Sequence, residues 1–355
     1  MLPELCLGLM LLGVTAYAVF GSADFGAGFW DLTAGTASGG GRVRGLIQRS
    51  MSPVWEANHV WLIFVLVIAW TAFPVAFGSI MSTLSIPLFL AALGVIFRGG
   101  AFALRGQAAT MNEARAHGAV FAVSSVLIPY FLGAALGGIA SGRVPVGNAA
   151  GDLVDSWVNP TSTLIGVLGV ATGAYLAAVY LAGDARRGDF PDLVEAFRRR
   201  ALGAGAVTGA LAIGGLFVVR EDAPDLYAGL SSGGGLVMVV ISTAAGLATM
   251  ALVWVRRFGV ARLSAAVAVG AITIGWALAQ DPYLLPGQLT VEDAAAADAT
   301  LEALFVSIAI GMVILVPSLV LLYRLVLKGD LDQAYEPLDQ RFRPLTAGDD
   351  EAPPK

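Results

Sequence analysis

Trp55, Glu56, Asn58 and His59 sit close together in Pro53-Val54-Trp55-Glu56-Ala57-Asn58-His59-Val60-Trp61-Leu62. This stretch forms the mouth of an apolar run from Val60 to Phe73 that continues past Pro74 toward Met81. A carboxylate, an amide, an imidazole and indoles so placed are groups that take, pass or orient a proton. An ionisable side chain at the edge of a membrane helix costs free energy, so it marks a site by default. Two more charges enter apolar segments on the same side: Asp24 in Gly21-Ser22-Ala23-Asp24-Phe25-Gly26-Ala27-Gly28, and Arg98 in Phe97-Arg98-Gly99-Gly100-Ala101-Phe102. An arginine between Asp24 and Glu56 would let all three ionise despite partial burial. Alternatively, Glu56 is the poorly compensated member and carries protons. Charges near helix ends also snorkel to the headgroups, and Trp55 and Trp61 also read as interfacial aromatics.

Other chemistries are thinly supported. The two histidines, His59 and His117, lie in different segments, and Cys6 is the single cysteine. Disulfides within the chain and cysteine-ligated zinc or iron–sulfur sites are therefore excluded, and no phosphate loop or nucleophile–base pair is present. No redox metal is expected to be held wholly within this chain. The charges are sorted by membrane side rather than gathered into a basic patch, so no nucleic-acid partner is expected.

The elements that position these residues follow from composition. Of 355 residues, 57% are hydrophobic and 13% charged, with a mean hydropathy of +0.77. Soluble proteins carry roughly 25% charged residues, so this is an integral membrane protein with several spans. Apolar runs of spanning length fall at about 5–28, 57–81, 84–104, 118–140, 162–182, 202–219, 234–255, 261–280 and 301–325. The first lacks a basic n-region and carries Glu4, so it is expected to be retained as a span. The second and third are joined at Ser82-Thr83, which predicts a tight antiparallel turn.

Arginines and lysines gather on one side: Arg42, Arg44 and Arg49, then Arg105 and Arg115, Arg186 to Arg200, Arg256 to Arg262, and the C-terminal end. The opposite side has only Arg143 and Arg220 amid many acids. Positive charge stays inside, which puts the N terminus outside and the C terminus in the cytoplasm. Asp24 then lies near the cytoplasmic end of helix 1, where Gly26 and Gly28 suggest that the helix stops. Arg98, seven residues before Arg105, lies roughly 10 Å inward. The segment Asp189 to Arg200 has apolar residues at 190, 193, 194 and 197, the pattern of a helix lying in the headgroup plane. Pro282 to Thr290 reads as an extended loop. Leu12 to Tyr17 resembles Leu168 to Tyr175, a weak parallel repeat relating helices 1–4 to helices 5–8. One transmembrane domain over 1–328 (helices 1–4 about 5–140, helices 5–8 about 162–280, helix 9 about 301–325) and a loose polar tail over 329–355 are expected.

These residues together resemble subunit II of the cytochrome bd-type quinol oxidases, including the cyanide-insensitive branch. The match runs through Asp24-Phe25-Gly26-Ala27-Gly28, Pro53 to Asn58 with Val60-Trp61-Leu62, Phe73-Pro74, Phe97 to Phe102 with Arg105, Gly173-Ala174-Tyr175-Leu176, and Pro282 to Thr290 followed by Thr300-Leu301. The resemblance implies an all-α fold of nine transmembrane helices, as two four-helix bundles and one peripheral helix. It implies a complex that oxidises quinol outside, reduces O2 to water and takes protons from the cytoplasm. The b-type haems and haem d (haem b in the cyanide-insensitive branch) and the quinol site would belong to subunit I. A small single-span subunit and a structural quinone are further expectations of the family. By position, Glu56 takes the acid of the proton route, with Asp24 beside it as a relay. Trp55, Arg98 and Asn58 take supporting places. His59 departs from the Gln or Glu expected there. From another class, a proton-coupled secondary transporter would use Asp24, Glu56 and Arg98 as its coupling site, but transporters often carry inverted repeats, whereas the repeat here is parallel.

Overall fold

In lipid every backbone N–H and C=O must be satisfied within the protein, so long apolar runs fold as helices. The computed structural model describes residues 1–35, 40–51, 55–105 and 107–328. Among the described residues, nine helices are long and apolar enough to cross a membrane. In chain order the helices are α1 (Leu2–Leu32), α2 (Gly41–Met51), α3 (Trp55–Ala72), α4 (Pro74–Thr83), α5 (Ser85–Arg105), α6 (Met111–Ala140), α7 (Pro160–Arg187), α8 (Pro191–Asp222), α9 (Pro224–Leu230), α10 (Gly233–Trp254) and α11 (Phe258–Gln280). The hairpin β1 (Tyr283–Leu285) and β2 (Leu289–Thr290), the short α12 (Val291–Ala294) and α13 (Asp298–Lys328) complete the order. The Pro53-Val54 start of the motif and the tail over 329–355 lie outside the described residues.

Helix α1 does not stop at Gly28. It runs on to Leu32 and contains one π-helical turn, Tyr17–Gly21. Gly26 and Gly28 serve close packing instead: a Cβ on Gly26 would overlap the carbonyl oxygen of Gly173 on α7, and one on Gly28 would overlap the hydroxyl of Ser125 on α6. Across the same crossing, Trp30 Nε1 donates to the Ala174 carbonyl at 2.8 Å.

The second apolar run is broken at Phe73-Pro74. Proline removes a helical donor and drives the preceding residue out of the α region, and Phe73 has φ −132° and ψ 57°. The chain turns into α5 at Leu84, one residue beyond Ser82-Thr83. Ser79 and Ser82 accept from the N–H groups of Gly147 and Ala149, fastening α4 to the loop after α6.

The segment from Asp189 to Arg200 is not a separate in-plane helix. From Pro191 it is the first part of the continuous 32-residue α8, with no break after Arg200. Its apolar positions Leu193 and Phe197 are buried in the protein core rather than in headgroups. The short amphipathic helix is instead α2, whose Val43, Leu46, Ile47 and Met51 are buried at helical spacing, with Arg49 5.5 Å from the ring centroid of Phe190.

Residues that the charge pattern assigns to one face meet one another. Arg42 pairs with Asp192 at 2.7 Å and Arg256 with Glu195 at 3.1 Å on the arginine-rich face. At the other end Arg143 pairs with Asp222 at 2.7 Å, and Thr161 donates to the same carboxylate at 2.6 Å. Packing runs from α5 through α6 and α7 to α8, while α1 lies against α3, α6 and α7. Helix α13 touches α3 and α1 but leaves most of its apolar side chains exposed.

Candidate functional site

Asp24 and Asp31 on α1 are seven residues apart, as are Arg98 and Arg105 on α5. Seven residues are two helical turns, so each pair shares one face about 10 Å apart. The structure joins them rung to rung: Arg98 Nη2 to Asp24 Oδ1 at 2.7 Å, and Arg105 Nη1 to Asp31 Oδ2 at 3.0 Å. Both pairs span 74 positions, so α1 and α5 run parallel and in register. Arg44 from α2 adds a second bond to Asp31, at 2.7 Å.

The inner rung is closed off from solvent. Asp24 is 0% exposed and Arg98 1%. Arg98 also donates through Nε to Ser125 Oγ at 2.9 Å and through Nη2 to the Asp24 carbonyl at 3.3 Å. Its guanidinium carbon lies 5.3 Å from the ring centre of Phe25 and 4.7 Å from that of Phe121, in cation–π range. Asp24 Oδ2 is buried and makes no hydrogen bond among the described residues. The carboxylate thus has one oxygen committed to arginine and one free to bind a donor.

Around this pair stands an aromatic wall. Trp55 lies 5.2 Å from Phe102, centroid to centroid, and packs against the backbone of Gly99. His59 is ringed by Tyr17, Phe25 and Trp55 at 6.1, 6.1 and 6.4 Å, and its Nδ1 lies 3.4 Å from the Tyr17 hydroxyl. Asn58 is buried and accepts from the hydroxyl of Tyr323 on α13 at 3.3 Å, tying the last span to α3.

The site residues expected from sequence therefore separate. Asp24 and Arg98 come together, with Trp55 and Asn58 on the adjoining wall. Glu56 does not join Arg98: it is exposed at the first turn of α3 and has no ion pair among the described residues. The bridging of both carboxylates by Arg98 is not what forms. Sequence reasoning missed Asp31, Ser125, Phe121, Tyr17 and Tyr323. Asp31 was legible, since two acids and two arginines repeat at the same interval of seven. Ser125 and Tyr323 carried no signal apart from the fold.

The chain matches the family model described as cytochrome bd terminal oxidase subunit II over residues 2–326. It is 24% identical over 326 residues to a putative cytochrome bd menaquinol oxidase subunit II of Bacillus subtilis, covering 89% of this chain and 92% of that protein. A 90-residue stretch is 29% identical to a cytochrome bd ubiquinol oxidase subunit 2 of the same organism, covering 25% of this chain and 27% of that protein. Among solved structures, the bd oxidase from Geobacillus thermodenitrificans superposes with a TM-score of 0.73 at 27% identity, over 92% of this chain and 99% of the matched one.

Proposed function

Because this chain belongs to the cytochrome bd terminal oxidase subunit II family, we propose that it supports a haem-bearing subunit I in a bacterial membrane complex that oxidises quinol and reduces O2 to water. Within that complex it contributes to proton uptake from the cytoplasm. The family assignment displaces the secondary-transporter alternative.

The haems belong to the partner in this reading. His59, the histidine in the wall of the site, does not suit an axial ligand: three rings enclose it, and its Nδ1 faces the Tyr17 hydroxyl. No group of three or more histidine, cysteine or acidic side chains could hold a metal among the described residues. In this reading the chain carries protons and braces the partner.

The observation that carries the proton role is the buried Asp24 carboxylate with Oδ2 unbonded. An unsatisfied buried acceptor costs roughly 1–3 kcal/mol, so it recruits a donor when one can reach it. Glu56 stands at the open end of α3, where an exposed carboxylate collects protons from water. Protons crossing a hydrocarbon layer need ionisable or hydrogen-bonding steps, and Glu56 followed by Asp24 would provide two. Arg98 holds Asp24 in place, Trp55 fills the wall against Phe102, and Asn58 fixes α3 to α13. The test is Glu56→Gln in the assembled complex. We expect slower O2 consumption with unchanged haem spectra and unchanged complex yield; normal turnover would remove Glu56 from the route.

A further inference from the structure

A cavity of about 490 Å³ opens between the C-terminal end of α7 and the turn from α10 into α11. It lies on the arginine-rich face, away from Asp24, and four guanidinium side chains line it: Arg186, Arg187, Arg257 and Arg262. The acid paired with its lining is Asp184, whose carboxylate is held by Arg187 and Arg262. Glu195, nearby on α8, is occupied by Arg198, Arg199 and Arg256. Arg186 donates only to the Arg256 carbonyl, at 2.6 Å, and Arg257 has no side-chain partner among the described residues. Four positive charges thus face one carboxylate.

The start of the 23-residue α11 opens into the same cavity through Phe258, Gly259 and Val260. No side chain caps it, so its first N–H groups have no partner among the described residues. Nothing lies within 4 Å of where a Cβ would stand on Gly259, so an anionic oxygen can reach the backbone. A helix N-terminus beside guanidiniums favours phosphate.

Below the cavity the surface turns apolar. Val260, Leu263, Val267 and Ile274 descend one side of α11, and all four are exposed. Trp254 and Val255 are exposed on the adjoining turn. A soluble anion would use the head of this site and leave the track bare. A phospholipid would use both.

We propose that this cavity holds the headgroup of a membrane phospholipid bearing two phosphates, with its acyl chains laid along α11. The excess of guanidiniums over carboxylates selects a doubly charged headgroup over a zwitterionic one, in the manner of basic pockets at the ends of membrane helices. The test uses the purified complex in detergent and native mass spectrometry. Cardiolipin, phosphatidylcholine and inorganic phosphate are added as separate probes, to wild type, Arg257→Gln, and Arg186→Gln with Arg257→Gln. Neither arginine forms an ion pair among the described residues, so both variants are expected to assemble; gel filtration and the haem spectrum report this directly. Wild type should retain cardiolipin over phosphatidylcholine, inorganic phosphate should not displace it, and retention should fall as salt rises. Each arginine removed should weaken retention roughly fivefold. Equal retention by the variants, or equal binding of phosphatidylcholine, would overturn the proposal. Displacement by millimolar phosphate would assign the cavity to a soluble anion, and an acidic protein segment seated there in a structure of the complex would assign it to a partner; either also overturns it. If a variant fails to assemble, salt dependence and lipid selectivity of the wild-type complex decide the matter alone.

Discussion

Replacing Arg98 by methionine keeps most of the side chain's length and removes its charge. Asp24 would remain fully buried and would lose the donor at Oδ1 and at its own carbonyl; Oδ2 has none to begin with. Both carboxylate oxygens would then lack a donor among the described residues. Breaking a buried pair from one side costs about 3–5 kcal/mol. The contacts with Phe25 and Phe121 add roughly 0.5–2 kcal/mol. Asp24→Asn on the same background removes the stranded charge, so the double variant should recover roughly 2–3 kcal/mol of the loss. Interhelical hydrogen bonds in lipid average only about 0.6 kcal/mol and reach about 1.7. A coupling above that range means that burial of charge, more than hydrogen bonding, makes each residue depend on the other. The assay is a double-mutant cycle on the assembled complex, unfolded by dodecyl sulfate in mixed micelles. Additivity of the two single variants within about 0.5 kcal/mol would refute the reasoning, because it would mean that Asp24 does not depend on Arg98.

Gly26→Ala and Gly26→Val should lower the yield of assembled complex in that order, since the added atoms meet backbone of α7 that cannot swing aside; such overpacking costs about 1–3 kcal/mol or more. Gly203→Ala, where nothing lies within 4 Å, should leave the yield unchanged and serves as the control. Asp31→Ala removes the carboxylate shared by Arg44 and Arg105 and should loosen α2, read as faster proteolysis within 41–51; an unchanged cleavage pattern would count against the shared anchor. In the loop after α6, the N–H groups of Asp155 and Val154 hold the Asp152 carboxyl below its ordinary value of 3.8. A depressed value means that the turn is fully supported above about pH 4 and loses that support as pH falls through the lowered value. Amide exchange at Val154 and Asp155 should therefore gain protection as pH rises through that window, beyond the intrinsic pH dependence, and Asp152→Ala should abolish the gain.

Much of the fold was legible because membrane folding reduces to runs of apolar residues bounded by charge. The nine spans among the described residues could be read, as could the meeting of like-sided loops, because hydrocarbon thickness and arginine placement are local properties; the break at Phe73-Pro74 was not, since the apolar run reads as continuing past Pro74. The inner ion pair was legible by type: a carboxylate and a guanidinium in apolar surroundings require partners. Its partner choice was not. Glu56 and Asp24 are equally acidic in the sequence, and only the register of α1 against α5 decides that Arg98 reaches Asp24. The in-plane reading of Asp189 to Arg200 failed because amphipathic spacing looks the same whether the apolar face meets headgroups or the body of α7. Gly26 and Gly28 were misread as a helix end for a similar reason: glycine also marks close helix crossings, and the carbonyl of Gly173 that it approaches is 147 positions away. The cavity between α7 and α11 draws on arginines from two distant segments, and nothing in either segment announces the other.

The two rungs between α1 and α5 bear on how the chain is made. An arginine at the centre of a membrane helix disfavours insertion by about 2.5–3.5 kcal/mol on the translocon scale, and Arg98, seven residues before the end of α5, carries part of that cost. The helix carrying Arg98 is the third span to emerge, and Asp24 is already in place on the first. Both members of each rung lie within the first 105 residues, so neutralisation is possible while the second half of the chain is still on the ribosome. Since the rungs repeat at one offset, a slip of one turn would part both pairs at once. A nascent chain arrested shortly after α5 should thus already hold its third span in the bilayer, and should lose it when Asp24 is removed.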